Sequence, residues 1–170
     1  MKAAKRVLEK IRRVLTDTPA VRDVVQRRVY TKHISQVDDP IYPAISLYVL
    51  TNNLNNSVQE AVQLSVQIDL WLQSGRKTAV NIMDLAEDVN KVLNRQDLTD
   101  KNLEIAVASI FQLDAGPVMT DPEPNLLHVP LIYRVDAFPT TSDDGIILQD
   151  QATGDKIELN VEDGQIITED

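Results

Sequence analysis

Apolar and polar positions change period several times along the chain, and each change predicts an element. Val7, Leu8, Ile11, Val14 and Leu15 form a helical stripe, with Lys5, Arg6, Lys10, Arg12 and Arg13 mostly around it. Asp17-Thr18-Pro19 then supplies a capping residue and a proline at a first helical position, and Val21, Val24 and Val25 continue as a short second helix. Arg28 to Thr31 reads as a strand, and His33 to Pro43, with Asp38-Asp39-Pro40 and Tyr42-Pro43, as a loop. Ala44 to Leu50 has strand composition and leads into the turn-rich stretch Asn52 to Ser57.

The clearest pattern follows. From Val58 to Gln73 the even positions are apolar except Glu60, and the odd positions are mostly polar, which predicts one long half-buried strand. A helix is expected from about Lys77 to Asn94, where Val80, Met83, Leu85, Ala86, Val89, Val92 and Leu93 recur at helical spacing. Two more strands are predicted: Leu103 to Leu113, with Leu103, Ile105, Val107, Phe111 and Leu113 in phase, and His128 to Phe138, with Val129, Leu131, Tyr133, Val135 and Ala137 in phase. The proline-rich stretch from Gly116 to Pro124 connects them as a loop. Beyond Pro139 three short strands joined by tight turns predict a small acidic meander. The expected fold is α+β: a mostly antiparallel sheet of four to five strands, with the N-terminal helix and the long mid-chain helix packed on it. The expected division is 1–138 for the main domain and 139–170 for a linker and meander extension.

Charge alters this picture in one respect. Residues 1–37 hold ten Lys or Arg against three acids, whereas residues 38–170 hold seven against 23. Such asymmetry suits subunits that dock basic surface on acidic surface; it also occurs in nucleic-acid-binding arms. The basic residues here lie on an amphipathic helix without interleaved aromatics, which favours docking or a plain solvated face over a nucleic-acid arm. Candidate chemistry adds little. The chain has no cysteine, so thiolate metal sites, disulfides and cysteine nucleophiles are excluded. His33 and His128 lack a third ligand at metal spacing and are expected at the surface or at a strand end. Asp38-Asp39 reads as a turn, and Asp143-Asp144-Gly145 lacks the spacing of a calcium loop. With no phosphate-binding glycine loop and no nucleophile elbow, no enzyme, cofactor or metal is predicted. No apolar run is long enough to cross a bilayer, so no membrane partner is expected.

The feature left over is the odd face of the long strand: Gln59, Gln63, Gln67, Asp69 and Trp71, polar, nearly uncharged and carrying the only tryptophan. A solvated sheet face is one reading, though long charged residues are commoner there than glutamines; low charge and an aromatic anchor suit a subunit contact, so these residues, with Lys5, Arg6, Arg12 and Arg13 of the basic helix, form the candidate interface.

Several phrases resemble the tail terminator (tail completion) family of long-tailed bacteriophages: Leu15 to Tyr30, Tyr42 to Tyr48, Val66 to Trp71, the helix around Ala79 to Leu93, and Tyr133-Arg134-Val135-Asp136. The resemblance covers roughly residues 5–138. It implies a hexameric ring that caps the tail tube at its head-proximal end, stops tube polymerisation and joins the tail to the head connector. The implied partners are further copies of the chain, tail-tube proteins, sheath proteins in a contractile tail, and a connector or neck protein, with genomic DNA passing through the lumen without specific binding. The implied location is the virion, assembled in the host cytoplasm. The competing readings are another neck or tail structural protein and, from a different class, a DNA-binding module.

Overall fold

A computed structural model describes residues 2–54, 62–73, 78–103, 105–120 and 125–139, together with short strands at 147–149, 156–158, 161–162 and 165–166. The chain divides into two compact units, Met1–Pro139 and Thr140–Asp170.

The first unit is α+β. Helix α1 (Lys2–Asp17) buries Val7, Ile11 and Leu15 completely, one residue per turn on the face that the apolar stripe marks. Each such side chain contributes about 1.5–3 kcal/mol by leaving water. Thr18 holds the N-cap position of the next helix, its carbonyl accepting from Arg22 N, but its side chain makes no capping bond and its Oγ1 instead donates back to Val14 O at 2.8 Å. Helix α2 (Pro19–Val25) is started by its proline and buries Val21 and Val25, leaving Val24 exposed.

Five strands form one continuous path. In the order β1-β2-β3-β6-β4 lie Val29–Tyr30, Ala44–Leu54, Val62–Gln73, Leu126–Pro139 and Ile105–Ala115, and β5 (Met119–Thr120) pairs with β6 beyond the end of β4. All pairings are antiparallel except β1 with β2, which is parallel and makes the sheet mixed. The even positions of β3 from Val62 to Leu72 are all buried, and so are Val129, Leu131, Tyr133, Val135 and Ala137 of β6. Together with Ile45 and Leu47 of β2 they make the floor on which the helices pack. Helix α3 (Thr78–Leu93) contributes Ile82, Leu85, Ala86, Val89 and Leu93 to the same core.

Two strands depart from the expected phase. In β4 the register shifts between Ile105 and Val107 and again between Gln112 and Asp114, so Ile110 enters the core while Phe111 and Leu113 are exposed. A bulge inserts one unpaired residue, and one residue is enough to reverse the faces of everything beyond it. In β2 a shift between Val49 and Thr51 leaves Leu50 exposed, and the strand runs on to Leu54 where a turn was expected. The loop expected after Gly116 contains β5.

In the second unit β7 (Ile147–Gln149) pairs with β8 (Lys156–Glu158), and β9 (Val161–Glu162) with β10 (Gln165–Ile166). These are two separate two-stranded ladders rather than one three-stranded meander.

Candidate functional site

With the helices on one face of the sheet, the odd positions of β3 lie on the other, and register decides their neighbours. Trp71 sits between Ala44 of β2 and His128 of β6, Asp69 between Ser46 and Pro130, and Gln67 between Tyr48 and Ile132. The residues after β1 fold back over this end. A 3₁₀ turn at Ile34–Gln36 places Ile34 with Ala44 and Trp71 in a second apolar cluster, joined by Tyr30, Val37 and Tyr42.

Beneath that cover lies a polar centre. Asp69 is completely buried and accepts hydrogen bonds from Tyr48 Oη at 2.9 Å and Gln67 Nε2 at 2.7 Å. His128 Nε2 lies 3.0 Å from Asp69 Oδ1, yet its approach is not aligned for a hydrogen bond. The His128 ring stacks flat on Trp71, 4.2 Å between centroids and 4° between planes, and Trp71 Nε1 donates to Ser46 Oγ at 3.1 Å. His33 meets Trp71 and Tyr48 edge-on, its Nδ1 accepting from Ser35 N. The Tyr48 hydroxyl resists ionisation, held far above the usual tyrosine range by burial first and then by the neighbouring Asp69 charge and hydrogen bond. The arrangement has an acid, an imidazole and a hydroxyl in reach of one another, but Ser46 is already engaged by the indole and Asp69 is sealed from solvent. Its bonds join β2 to β3 and the His128 ring brings in β6, while the 30–43 segment meets it through the His33 ring and the apolar cluster around Ile34.

The sequence-predicted residues therefore separate. Asp69 and Trp71 are enclosed within one chain. Gln63 and Gln67 are half-buried on the uncovered part of the face, where Gln63 Nε2 bonds Asp136 Oδ1 at 3.1 Å and Arg134 Nε reaches the same carboxylate. Gln59 lies outside the described residues. On α1, Lys5 is exposed. Glu9 holds both Arg12 and Arg13, and Arg12 Nε also donates to Val29 O at 3.2 Å, which ties the helix to the outer edge of β1. Arg6 is half-buried. The convergence of His33 and His128 on either side of Trp71 was not expected, since the two lie far apart in the chain. The signal that pointed there was the lone acid Asp69 on an otherwise uncharged strand face.

Two open depressions lie on the basic side of the molecule. One of about 500 Å³ is lined by Arg22, Asp23, Gln26 and Arg27, and one of about 250 Å³ by Arg12, Val29, Tyr30, Thr31 and Lys32. Among the described residues no three His, Asp or Glu side chains converge as a metal-ligand set, and no helix is long and apolar enough to cross a membrane.

The fold is similar to that of a virion protein. A chain in the "Virion of native gene transfer agent (GTA) particle" superposes with a TM-score of 0.55 at 12% identity, covering 92% of that chain and 76% of this one. At that identity the likeness is one of fold, and this chain carries residues beyond the shared part. No protein-family model matches the sequence. No curated protein matches it either.

Proposed function

We propose that the chain is a structural subunit of a phage-like virion, forming a ring at the head-proximal end of the tail that ends tube polymerisation and joins the tail to the head connector. The observation that carries this is the fold held in common with nearly the whole of a chain in a gene transfer agent virion. The finer assignment, to the tail terminator role, draws on the family resemblance of the segments from Leu15 to Asp136. Its partners on this reading are further copies of itself in a hexamer, the tail tube, a sheath where the tail contracts, and the connector, with DNA passing through unbound. Residues 139–170 are then an extension of the ring subunit.

Two observations speak for assembly over chemistry or DNA binding. Asp38 and Asp39 are exposed, and no pocket among those described brings them to His33 or His128. Part of the charge of the basic helix is engaged within the chain, with Lys10 bonded to Asp100 and Arg12 and Arg13 sharing Glu9, which leaves it less charge to give to phosphates.

Deleting the gene from its particle-producing strain and imaging the tails by electron microscopy tests the role. Over-long tubes are the expected outcome. Tails of normal length that fail to join heads would reassign the subunit to the connector, and normal infectious particles would sink the virion role altogether.

A further inference from the structure

The two edges of the main sheet differ in a way that a single chain does not use. At the β4 edge the bulge turns apolar side chains outward: Phe111 is 42% exposed and Leu113 59%. Along the same edge Val118 and Met119 continue the apolar run, 38% and 40% exposed. Large apolar side chains grouped on one edge mark a surface that is covered in use. The backbone there is already satisfied in part by the turn after α3, because Arg95 N donates to Ile110 O at 2.8 Å and Gln112 N to Asn94 Oδ1 at 3.1 Å. Asp97 adds a bridge to Ser109. Strand addition along this stretch of β4 is therefore blocked, and what the edge offers is side chains.

The opposite edge offers a receptor. Beside β1 the depression of about 250 Å³ is lined by Arg12, Val29, Tyr30, Thr31 and Lys32, with Arg12 also bonded to Glu9 and to Val29 O. The charges of the two edges are opposed. Residues 22–32 carry Arg22, Arg27, Arg28 and Lys32 against the single acid Asp23, while residues 95–115 carry Asp97, Asp100, Glu104 and Asp114 against Arg95 and Lys101, with Asp100 already bound to Lys10.

We propose that the β4 edge of one copy, with Phe111 and Leu113 as its knob, docks into the Arg12–Lys32 depression beside β1 of the next copy. This deepens the ring reading and rests on it for the identity of the partner. Because β1 and β4 are the two ends of the strand order, the contact is heterologous, and repeated contacts of that kind close as a ring or run on as a filament. Apolar anchors rimmed by opposed charge supply burial at the centre and register at the periphery.

The absence of cysteine makes the chain a clean background for crosslinking. Leu113→Cys and Lys32→Cys chains are purified separately, mixed and oxidised. The expected product is a disulfide dimer that forms in the mixture and only in trace with either variant alone. A strong homodimer from Leu113→Cys by itself would mean a two-fold contact and overturn the head-to-tail arrangement. In parallel, sedimentation compares the wild type with a Phe111→Glu, Leu113→Glu double variant. Self-association at least tenfold weaker, with an unchanged thermal melt, is expected since both side chains are exposed. Equal assembly of the two proteins, or a wild type that stays monomeric at every concentration, overturns the docking surface. The tail-length experiment decides the ring reading independently: over-long tails together with failed crosslinks would keep the ring and discard this interface.

Discussion

Asp69 is a completely buried acid on a strand of otherwise neutral side chains, and its neighbours explain how it is tolerated. Tyr48 and Gln67 donate to it and His128 stands at charge-contact distance, so its oxygens are met from three strands. Removing the acid takes the acceptor from both Tyr48 and Gln67 at once. Asp69→Ala is expected to cost about 3 kcal/mol, in the range for breaking a buried charged network, whereas Asp69→Asn, which retains an acceptor, should cost less. Urea unfolding read through Trp71, the only tryptophan, measures both. A loss below 1 kcal/mol in the alanine variant would show that the buried acid does not help hold the three strands together. A second residue constraint sits at Gly116, whose N–H donates to Pro130 O at 2.8 Å and where a Cβ would come within 2.5 Å of the Pro130 ring. Pro130 faces Asp69 across the ladder, so the glycine permits the close passage of chain beside the polar centre.

At the scale of elements, α1 is tied to the rest by its apolar stripe and by one ion pair, Lys10 Nζ to Asp100 Oδ2 at 3.0 Å, both side chains largely buried. The Lys10 hydrogen bond is the main reason that the Asp100 carboxyl titrates below the ordinary aspartate range, with burial opposing it. A folded-state value below the unfolded one means that the unfolded chain binds more protons, so this contribution is present above about pH 4 and is lost as pH falls through the depressed value. Lys10→Met should therefore lower stability by about 0.5–1 kcal/mol at pH 7 and match the wild type at acid pH, a convergence that melting curves across pH would reveal. A constant difference at all pH values would assign the effect to packing. Element phase was the less legible part of the sequence. The core-facing positions of β3 and β6 were readable residue by residue, whereas the burial of Asp69 and Trp71 on the other face of β3 was not. β4 has apolar residues on both parities, so nothing in its composition says where a bulge reverses it. The bulge is set by the pairing with β6, a partner beyond the reach of any local pattern.

The whole molecule poses the question of how much of the chain the assembly needs. Met1–Pro139 holds the described core, and the second unit begins at Thr140. A chain ending at Pro139 is expected to melt cooperatively within about 4 °C of the full protein, the displacement that roughly 1 kcal/mol produces in a domain of this size. A larger fall, or a broadened transition in calorimetry, would mean that the last residues complete the core. The candidate interface was legible only in part at this scale. The basic helix and the uncharged strand face were visible in the sequence, but the covering of Asp69 and Trp71 by the 30–43 segment was not, because it joins residues that meet only after the sheet has formed.

By itself the amino-acid order determined where the three helices and the long strands of the main sheet lie, which face of β3, β6 and α1 went inward, and that the charge of the two ends is opposed. Those properties follow from periodicity and composition, which act within a few residues. Tertiary structure alone decided the parallel β1, the reversal of β4, the joining of His33, Trp71 and His128, and the placing of an apolar knob and a basic-lined depression at opposite edges of one sheet. Each of these depends on which strands pair and in what register, and register is the outcome of packing the whole core at once.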